Sequence, residues 1–310
     1  MSSIIFIEGA SMSEQKQGVL FAAGAYLMWG IIPLYWKQVQ HVSSLEILAG
    51  RVIWSFVFTA LFVLLIKQRK ELMEDIKTLW GRQAQFWSLF IASLVISVNW
   101  GVYIWAVNND HLLQASLGYY INPLISVLFG LLFFKEKLSG ATIVAVIIAA
   151  IGVGYQAILG GTIPWVSLTL ALSFSIYGVL KKKISLDATR GLAIETLFIL
   201  PIAIVGYIYL MQTTDIAFLQ VDMKTNLFLI GSGIITALPL VLFAKGAQKI
   251  PLYLMGFIQF LSPTMSLIIG IFIFKEPFTM TEMFTFGCIW LAVLIFSAAK
   301  LVEAKKRHAI

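Results

Sequence analysis

Apolar residues fill this chain in runs of about twenty, each bounded by a short polar stretch. Ten such runs are read at 18–36, 45–66, 86–107, 112–134, 141–159, 163–180, 191–211, 226–244, 252–274 and 281–300. A helix needs about 20 mostly apolar residues to cross about 30 Å of hydrocarbon. Stretches such as Thr142 to Ala150 and Leu267 to Phe274 are apolar on every side. They lack the in–out alternation of outer-membrane strands. The pattern predicts an all-α polytopic membrane protein with ten transmembrane helices.

The pattern also repeats. A shift of 140 residues places Pro123 on Pro263, Ser126 on Ser266, Gly130 on Gly270, Phe134 on Phe274, and Lys135-Glu136 on Lys275-Glu276. Each half then holds five spans. Five is odd, so the second half enters the membrane from the opposite side. Two inverted five-helix repeats are a recurring plan of secondary transporters. The expected organisation is a cytoplasmic N-terminal tail over 1–17, repeats over 18–160 and 161–300, and a basic cytoplasmic tail over 301–310. Met1 to Ser11 has neither a basic n-region nor a long apolar h-region, so it does not read as a signal peptide. Translation from Met1 and from Met12 both remain open.

Composition narrows the class. Of 310 residues, 60% are hydrophobic and 12% charged, whereas a soluble domain carries about 25% charge. That balance argues against a soluble enzyme, a disordered chain and a nucleic-acid module. The net charge of +7 is explained by topology. Eighteen of the 22 Lys and Arg residues fall on the side of the first tail, and Lys37, Lys224 and Lys275 on the other. Arg51 lies within a span. Basic residues concentrate on the cytoplasmic side, so both termini are expected in the cytoplasm and the lipid bilayer is the expected partner. The single cysteine, Cys288, permits no internal disulfide.

The polar residues inside spans are the candidate chemistry. Pro123 and Pro263 fall near mid-span and are expected to kink their helices, freeing the carbonyls of Tyr119 and Gln259. Lipid cannot satisfy those carbonyls, so they are expected to face protein or a wet cavity, joined there by Asn122. Asn99, Trp100 and Tyr103 offer a hydrogen-bonding and aromatic lining, and Asn99 and Tyr103 share a helical face. Tyr26, Trp29 and Pro33 lie along one face of span one, and Tyr177 in span six is a further lining candidate. Arg51 has two readings: it snorkels outward, or it faces the cavity and holds an anionic group. Glu46 fits a capping box with Ser43 and is also a coupling candidate. Glu195 either carries a proton or pairs with Arg190. Trp36, Trp87, Trp105 and Trp165 read as the interfacial aromatic belt. Lys37, Lys135, Glu136, Lys275 and Glu276 read as solvated anchors at span ends.

Absent motifs exclude other classes. No Gly-Lys dipeptide occurs, so there is no Walker A loop. No His-Glu-x-x-His, no aspartate within a span, and no nucleophile–base constellation supports an intramembrane enzyme. No metal or cofactor is expected.

Three strings carry a resemblance. Ala25-Tyr-Leu-Met-Trp-Gly-Ile-Ile-Pro-Leu-Tyr-Trp-Lys37, Asn99-Trp-Gly-Val-Tyr-Ile-Trp-Ala-Val-Asn108 and Ala115-Ser-Leu-Gly-Tyr-Tyr-Ile-Asn-Pro-Leu124 resemble the RarD branch of the EamA-type drug/metabolite transporter superfamily, over about Gly18 to Lys300. The resemblance implies ten helices in two inverted repeats, a bacterial inner membrane, a central substrate cavity and alternating access. Members of the superfamily move amino acids, other metabolites and drugs, often outward. The branch label "chloramphenicol-sensitive protein" names a phenotype, and the resemblance supplies no set of site residues. The expected function is secondary transport of a small solute. Its contacts are expected from Tyr26, Trp29, Arg51, Asn99, Trp100, Tyr103, Tyr119, Asn122, Tyr177 and Gln259, with Glu46 or Glu195 coupling an ion. The competing reading is a non-transporting scaffold or sensor subunit, whose dry centre would tie Asn99, Asn122 and Gln259 into mutual hydrogen bonds.

Overall fold

In the computed structural model the apolar runs are helices. It describes residues 14–308 apart from 135–138, 160, 162, 182, 183, 185, 248, 251–254, 256 and 257. In chain order the helices are α1 (Glu14–Lys37), α2 (Ser44–Leu65), α3 (Arg69–Gly81), α4 (Gln83–Asn108), α5 (Leu112–Phe134), α6 (Gly140–Leu159), α7 (Trp165–Lys181), α8 (Ala188–Thr213) and α9 (Met223–Ala247). They are followed by α10, whose α-helical turns Leu261–Ile268 run into a π-helical stretch Ile269–Ile273, and by α11 (Met280–His308). No strand occurs among the described residues. Eight of these helices are long and apolar enough to cross a membrane; α7 and α10 are apolar but shorter.

Helix limits follow local chemistry. The Ser43 hydroxyl accepts the Glu46 N–H at the start of α2. Asp187 accepts from the N–H groups of Thr189 and Arg190 and starts α8. Asp222 accepts the Thr225 N–H at 2.6 Å just before α9. That backbone bond, with the Thr225 hydroxyl, holds the Asp222 carboxyl below the usual carboxylate range. Lys67, Asp110 and Lys275 follow α2, α4 and α10 in the left-handed region, at φ 59°, 57° and 56°, where they end the helices as a glycine commonly does. Four buried hydroxyls within the helices are satisfied by the preceding turn: Thr59 donates to the Ser55 carbonyl, Ser93 to Leu89, Thr196 to Leu192 and Thr236 to Ser232.

Two elements differ from the sequence expectation. The loop expected at 67–85 contains α3, an amphipathic helix whose buried Leu79 joins Leu89 and Ile194, with Leu72 and Ile76 against them. It is too short and too charged to register as a span. The ninth span, expected over 252–274, is helical at Met255 and Ile258, turns at Gln259 and Phe260 and resumes as helix at Leu261, the rest of its first part lying outside the described residues. Pro263 sits in the first turn of α10, where a missing N–H costs no helical bond, directly after the turn at Gln259 and Phe260 that interrupts the span. Pro123 does lie inside a helix, α5. The expected tail at 301–310 continues α11 as far as His308. The start-site question at Met1 and Met12 lies outside the described residues.

The principal packing pairs cross the middle of the chain. α1 packs on α9 and α10, and α7 on α4 and α5. α2 packs on α9, and α8 on α4. α2 also meets α8, α5 meets α10, and α6 meets α11. Neither half of the sequence is self-contained, because each places its first helix among the helices of the other. Close approach is set by small residues. A Cβ at Gly118 would fall 2.7 Å from the Ser167 carbonyl oxygen, and one at Gly246 2.8 Å from the Ala22 backbone nitrogen.

Candidate functional site

Four charged side chains are buried among the described residues: Glu46, Arg51, Glu195 and Glu276. Each carboxylate is committed. Glu46, 2% exposed, starts α2 as expected, but its carboxylate crosses to the α8–α9 loop. There it accepts the N–H groups of Ala217 and Phe218 at 2.9–3.0 Å and the Tyr207 hydroxyl at 3.5 Å. Glu195 accepts from Lys181 and, at 3.0 Å, from the Tyr177 hydroxyl. The alternative partner, Arg190, instead pairs with Asp75 at 2.6 Å and with Gln68 at 2.9 Å, fastening α8 to α3. Glu276 is not a solvated anchor. It is 6% exposed and its two oxygens accept the Leu112 and Leu113 N–H groups at 2.7 and 2.8 Å. A carboxylate from the α10–α11 loop thus satisfies orphan donors at the positive end of α5. Lys37 is tied to Asp110 at 2.7 Å. Lys135 and Glu136 lie outside the described residues.

Arg51 is the exception. It does not snorkel; it is 7% exposed. Its Nε donates to the Thr236 hydroxyl at 2.9 Å. Its guanidinium lies over the Trp100 ring at 4.4 Å and over the Trp36 ring at 5.5 Å. The rings of Tyr103 and Tyr119 stand edge to face at 5.8 Å. No carboxylate among the described residues pairs with it. An arginine at the centre of a membrane helix costs roughly 2.5–3.5 kcal/mol on an insertion scale. A desolvated cation–π contact returns about 2 kcal/mol, so the two rings and the Thr236 hydroxyl offset part of that cost but supply no counter-charge. Trp36 is fully buried and is not a belt residue. Trp87 and Trp165 are exposed, as a belt requires.

The other candidates fall into separate groups. Tyr26 and Trp29 form an aromatic cluster with Phe243 of α9, with centroids 5.2–6.0 Å apart. Asn99 donates to the Leu170 carbonyl at 3.0 Å and the Ser173 hydroxyl at 2.9 Å, and its oxygen accepts the Tyr119 hydroxyl at 3.3 Å. Asn122 donates to the Ala171 carbonyl at 3.2 Å and to Ser175 at 3.0 Å. The two carboxamides therefore grip α7, and neither bonds to the other. Gln259 is half-buried in the turn before α10. Each asparagine-to-alanine change is expected to cost about 1–2 kcal/mol, read as lower thermal stability of the purified protein. A transport defect at constant stability would instead mark a solute contact.

Sequence reading finds Arg51, Trp100, Tyr103 and Tyr119 but misses Thr236 and Trp36. Threonine is an ordinary residue in an apolar helix, and Trp36 sits at a span end, where a belt residue is the default. A cavity of about 50 Å³ lies between α2, α8 and α9, lined by Phe58, Thr59, Phe62, Thr189, Leu192 and Ala237 among others. A narrower cleft is lined by Val52, Ser93, Ser97, Trp100, Glu195 and Thr196, so Trp100 is a wall shared between the Arg51 cluster and the Glu195 cleft. Among the described residues no group of three His, Cys, Asp or Glu side chains is placed to hold a metal ion.

Apolar helices long enough to span a bilayer, packed around a few committed polar groups, define a multi-pass helical membrane protein. Comparison with known proteins gives the family. The chain belongs to the EamA-like transporter family, whose model matches twice, over 16–155 and 162–298, and within the drug/metabolite transporter superfamily it falls in the RarD branch. It is 48% identical over 298 residues to "Uncharacterized transporter YojE" of Bacillus subtilis, covering 96% of this chain and 99% of that one. It is 38% identical over 283 residues to "Protein RarD" of Escherichia coli, covering 91% and 94%. It is 30% identical over 305 residues to "Chloramphenicol-sensitive protein RarD" of Pseudomonas aeruginosa, covering 96% and 100%. A crystal structure 18% identical covers 90% of this chain and 96% of its own, with a TM-score of 0.56, and shares the fold.

Proposed function

We propose that this membrane transporter is a secondary transporter that moves a small solute by alternating access about the Arg51 cluster. The observation that carries the reading is a buried cation that no acid among the described residues pairs with, at a junction to which both halves contribute. Arg51, Trp100, Tyr103 and Tyr119 come from α2, α4 and α5, and Thr236 comes from α9. Functional sites of such transporters lie where two repeats meet.

Ten spans in two inverted repeats belong to the same reading. The packing supports it: α1 sits on α9 and α10 as α7 sits on α4 and α5, and α2 meets α9 as α8 meets α4. Exchange of the two halves maps these contacts onto one another. The two-fold match of the family model agrees with it. The distribution of Lys and Arg supports cytoplasmic placement of both termini, and membership of the family with its bacterial relatives supports placement in the bacterial inner membrane. Under this reading the Glu195–Lys181–Tyr177 group is the better coupling candidate, because Glu195 lines the cleft beside Trp100, whereas Glu46 is engaged by backbone.

The test is flux. Purified protein in proteoliposomes is expected to catalyse uptake or counterflow of at least one labelled solute from a broad panel of metabolites and drugs. Arg51→Met is expected to reduce that flux at least about tenfold, the scale of losing one contact worth 1.4 kcal/mol. Absence of flux across the panel would sink the proposal in favour of a scaffold or sensor subunit. The satisfied carboxamides of Asn99 and Asn122 are the observation on that side. Thr236→Cys distinguishes the two independently: labelling by a water-soluble thiol reagent is expected of a cavity, and protection of a dry centre.

A further inference from the structure

We infer that the solute bound at Arg51 is an organic anion, a small carboxylate carried on an apolar or aromatic body. This rests on the transporter reading above and specifies its substrate class.

The argument begins with charge. Of the charged groups buried among the described residues, the three acids are spent: Glu46 on the α8–α9 loop, Glu195 on Lys181 and Tyr177, and Glu276 on the start of α5. None is spent on Arg51. A guanidinium offers five N–H donors in a rigid fork and no acceptor. Thr236 takes the Nε donor, which leaves the paired terminal nitrogens, the geometry that matches a carboxylate.

A second observation points the same way. The indole N–H of Trp36, buried beside this guanidinium, has no hydrogen-bond partner. A buried donor left unmade is costly, and its natural complement is an acceptor. The Arg51 terminal nitrogens and the Trp36 N–H are thus donors without a strong acceptor, while the Tyr119 hydroxyl is already given to Asn99. A cationic solute would meet a fixed positive charge at low dielectric and be repelled. A neutral alcohol would leave the charge uncompensated. The two indole rings that face Arg51, Trp36 and Trp100, supply an apolar wall for the body of the solute.

A matched series tests charge at constant shape. Phenylacetate, 2-phenylethanol and phenethylamine differ chiefly in the group offered to Arg51; acetate and indole-3-acetate vary the body. A ligand that binds only the folded state raises the unfolding temperature, which is measured in detergent for the wild type, Arg51→Lys, Arg51→Met and Trp36→Phe. The expected result is a concentration-dependent rise with phenylacetate or indole-3-acetate, none with the alcohol or amine, and loss of the rise in Arg51→Met. Arg51→Lys keeps the charge without the fork and is expected to weaken binding at least about tenfold. Trp36→Phe keeps the ring, removes the N–H and is expected to weaken acid binding several-fold. These two variants decide the matter if Arg51→Met does not fold.

An equal rise with the amine or alcohol overturns the anion assignment. A rise that survives Arg51→Met overturns the site. No rise with any of the three acids overturns the inference, as does stabilisation by phosphatidylglycerol alone, which would make the occupant a lipid headgroup. Flux of a neutral or cationic solute in proteoliposomes would uphold the transporter reading while refuting this one, so the two failures are distinguishable.

Discussion

Gly233→Ala is expected to part α2 from α9 and to lower stability by about 3 kcal/mol, at the upper end of overpacking costs. A Cβ at Gly233 would fall 2.6 Å from the Trp54 carbonyl carbon and 3.0 Å from the Ser55 nitrogen. These are backbone atoms, which cannot rotate away. The neighbouring glycines provide the controls. At Gly231 a Cβ meets only the outer end of Tyr35, and at Gly50 it meets nothing within 4 Å. Gly50→Ala is therefore expected to stay within about 0.5 kcal/mol of the wild type. The effect extends beyond stability. The Arg51–Thr236 bond joins the same two helices, three residues from Trp54 on one and three from Gly233 on the other. Separating the helices at Gly233 is expected to break that bond and remove solute binding together with stability. Thermal unfolding and ligand-dependent stabilisation, measured on the same samples, check both parts.

Glu46→Ala is the second large change, expected to cost about 3 kcal/mol or more. Its carboxylate accepts from two successive backbone N–H groups, and charge-assisted bonds of this kind contribute about 1.5–3 kcal/mol each. Truncation strands the Ala217 and Phe218 donors in a buried site. Glu46→Gln keeps the shape but brings an NH₂ group that cannot accept, so about half the loss is expected to remain. The α8–α9 loop should loosen with it, seen as faster amide exchange or protease cutting near Leu219, a residue held at φ 63°. An unchanged loop in Glu46→Ala would show that the carboxylate does not organise it.

Both results turn on contacts that the sequence carries only in part. Eight of the ten apolar runs are helices long enough to cross a bilayer, and they are legible because a crossing demands about twenty apolar residues, a constraint read without knowing any neighbour. Arg51 is legible for the same reason, as a charge among apolar residues. What occupies the space beside it is not. Trp36 and Thr236 come from other helices, and helical periodicity gives the face of a residue, not its partner. Asn99 and Asn122 show the same limit. Their carboxamides mark buried faces correctly, but nothing in their spacing says that α7 lies opposite. Glu46 and Glu276 sit at helix ends, where solvated or local capping roles are the default. Tertiary packing gives each a distant backbone to satisfy instead. The helix α3 escapes a search tuned to twenty-residue runs, because its apolar face is a stripe between charges.

The grip of Asn99 and Asn122 on α7 also bears on how the chain is assembled. Synthesis runs from the N-terminus, so α4 and α5 reach the bilayer before α7 exists. Until it arrives, the carbonyls of Leu170 and Ala171 are not there to receive the two carboxamides. In hydrocarbon an amide without a partner costs several kcal/mol. The first five apolar helices are therefore expected to pass through an unfinished intermediate in which the two carboxamide NH₂ groups lack their α7 acceptors. It is the sixth, emerging from the second half of the message, that supplies them. Insertion of the early helices and completion of their packing are separated in time by the length of chain between Asn122 and Ser175.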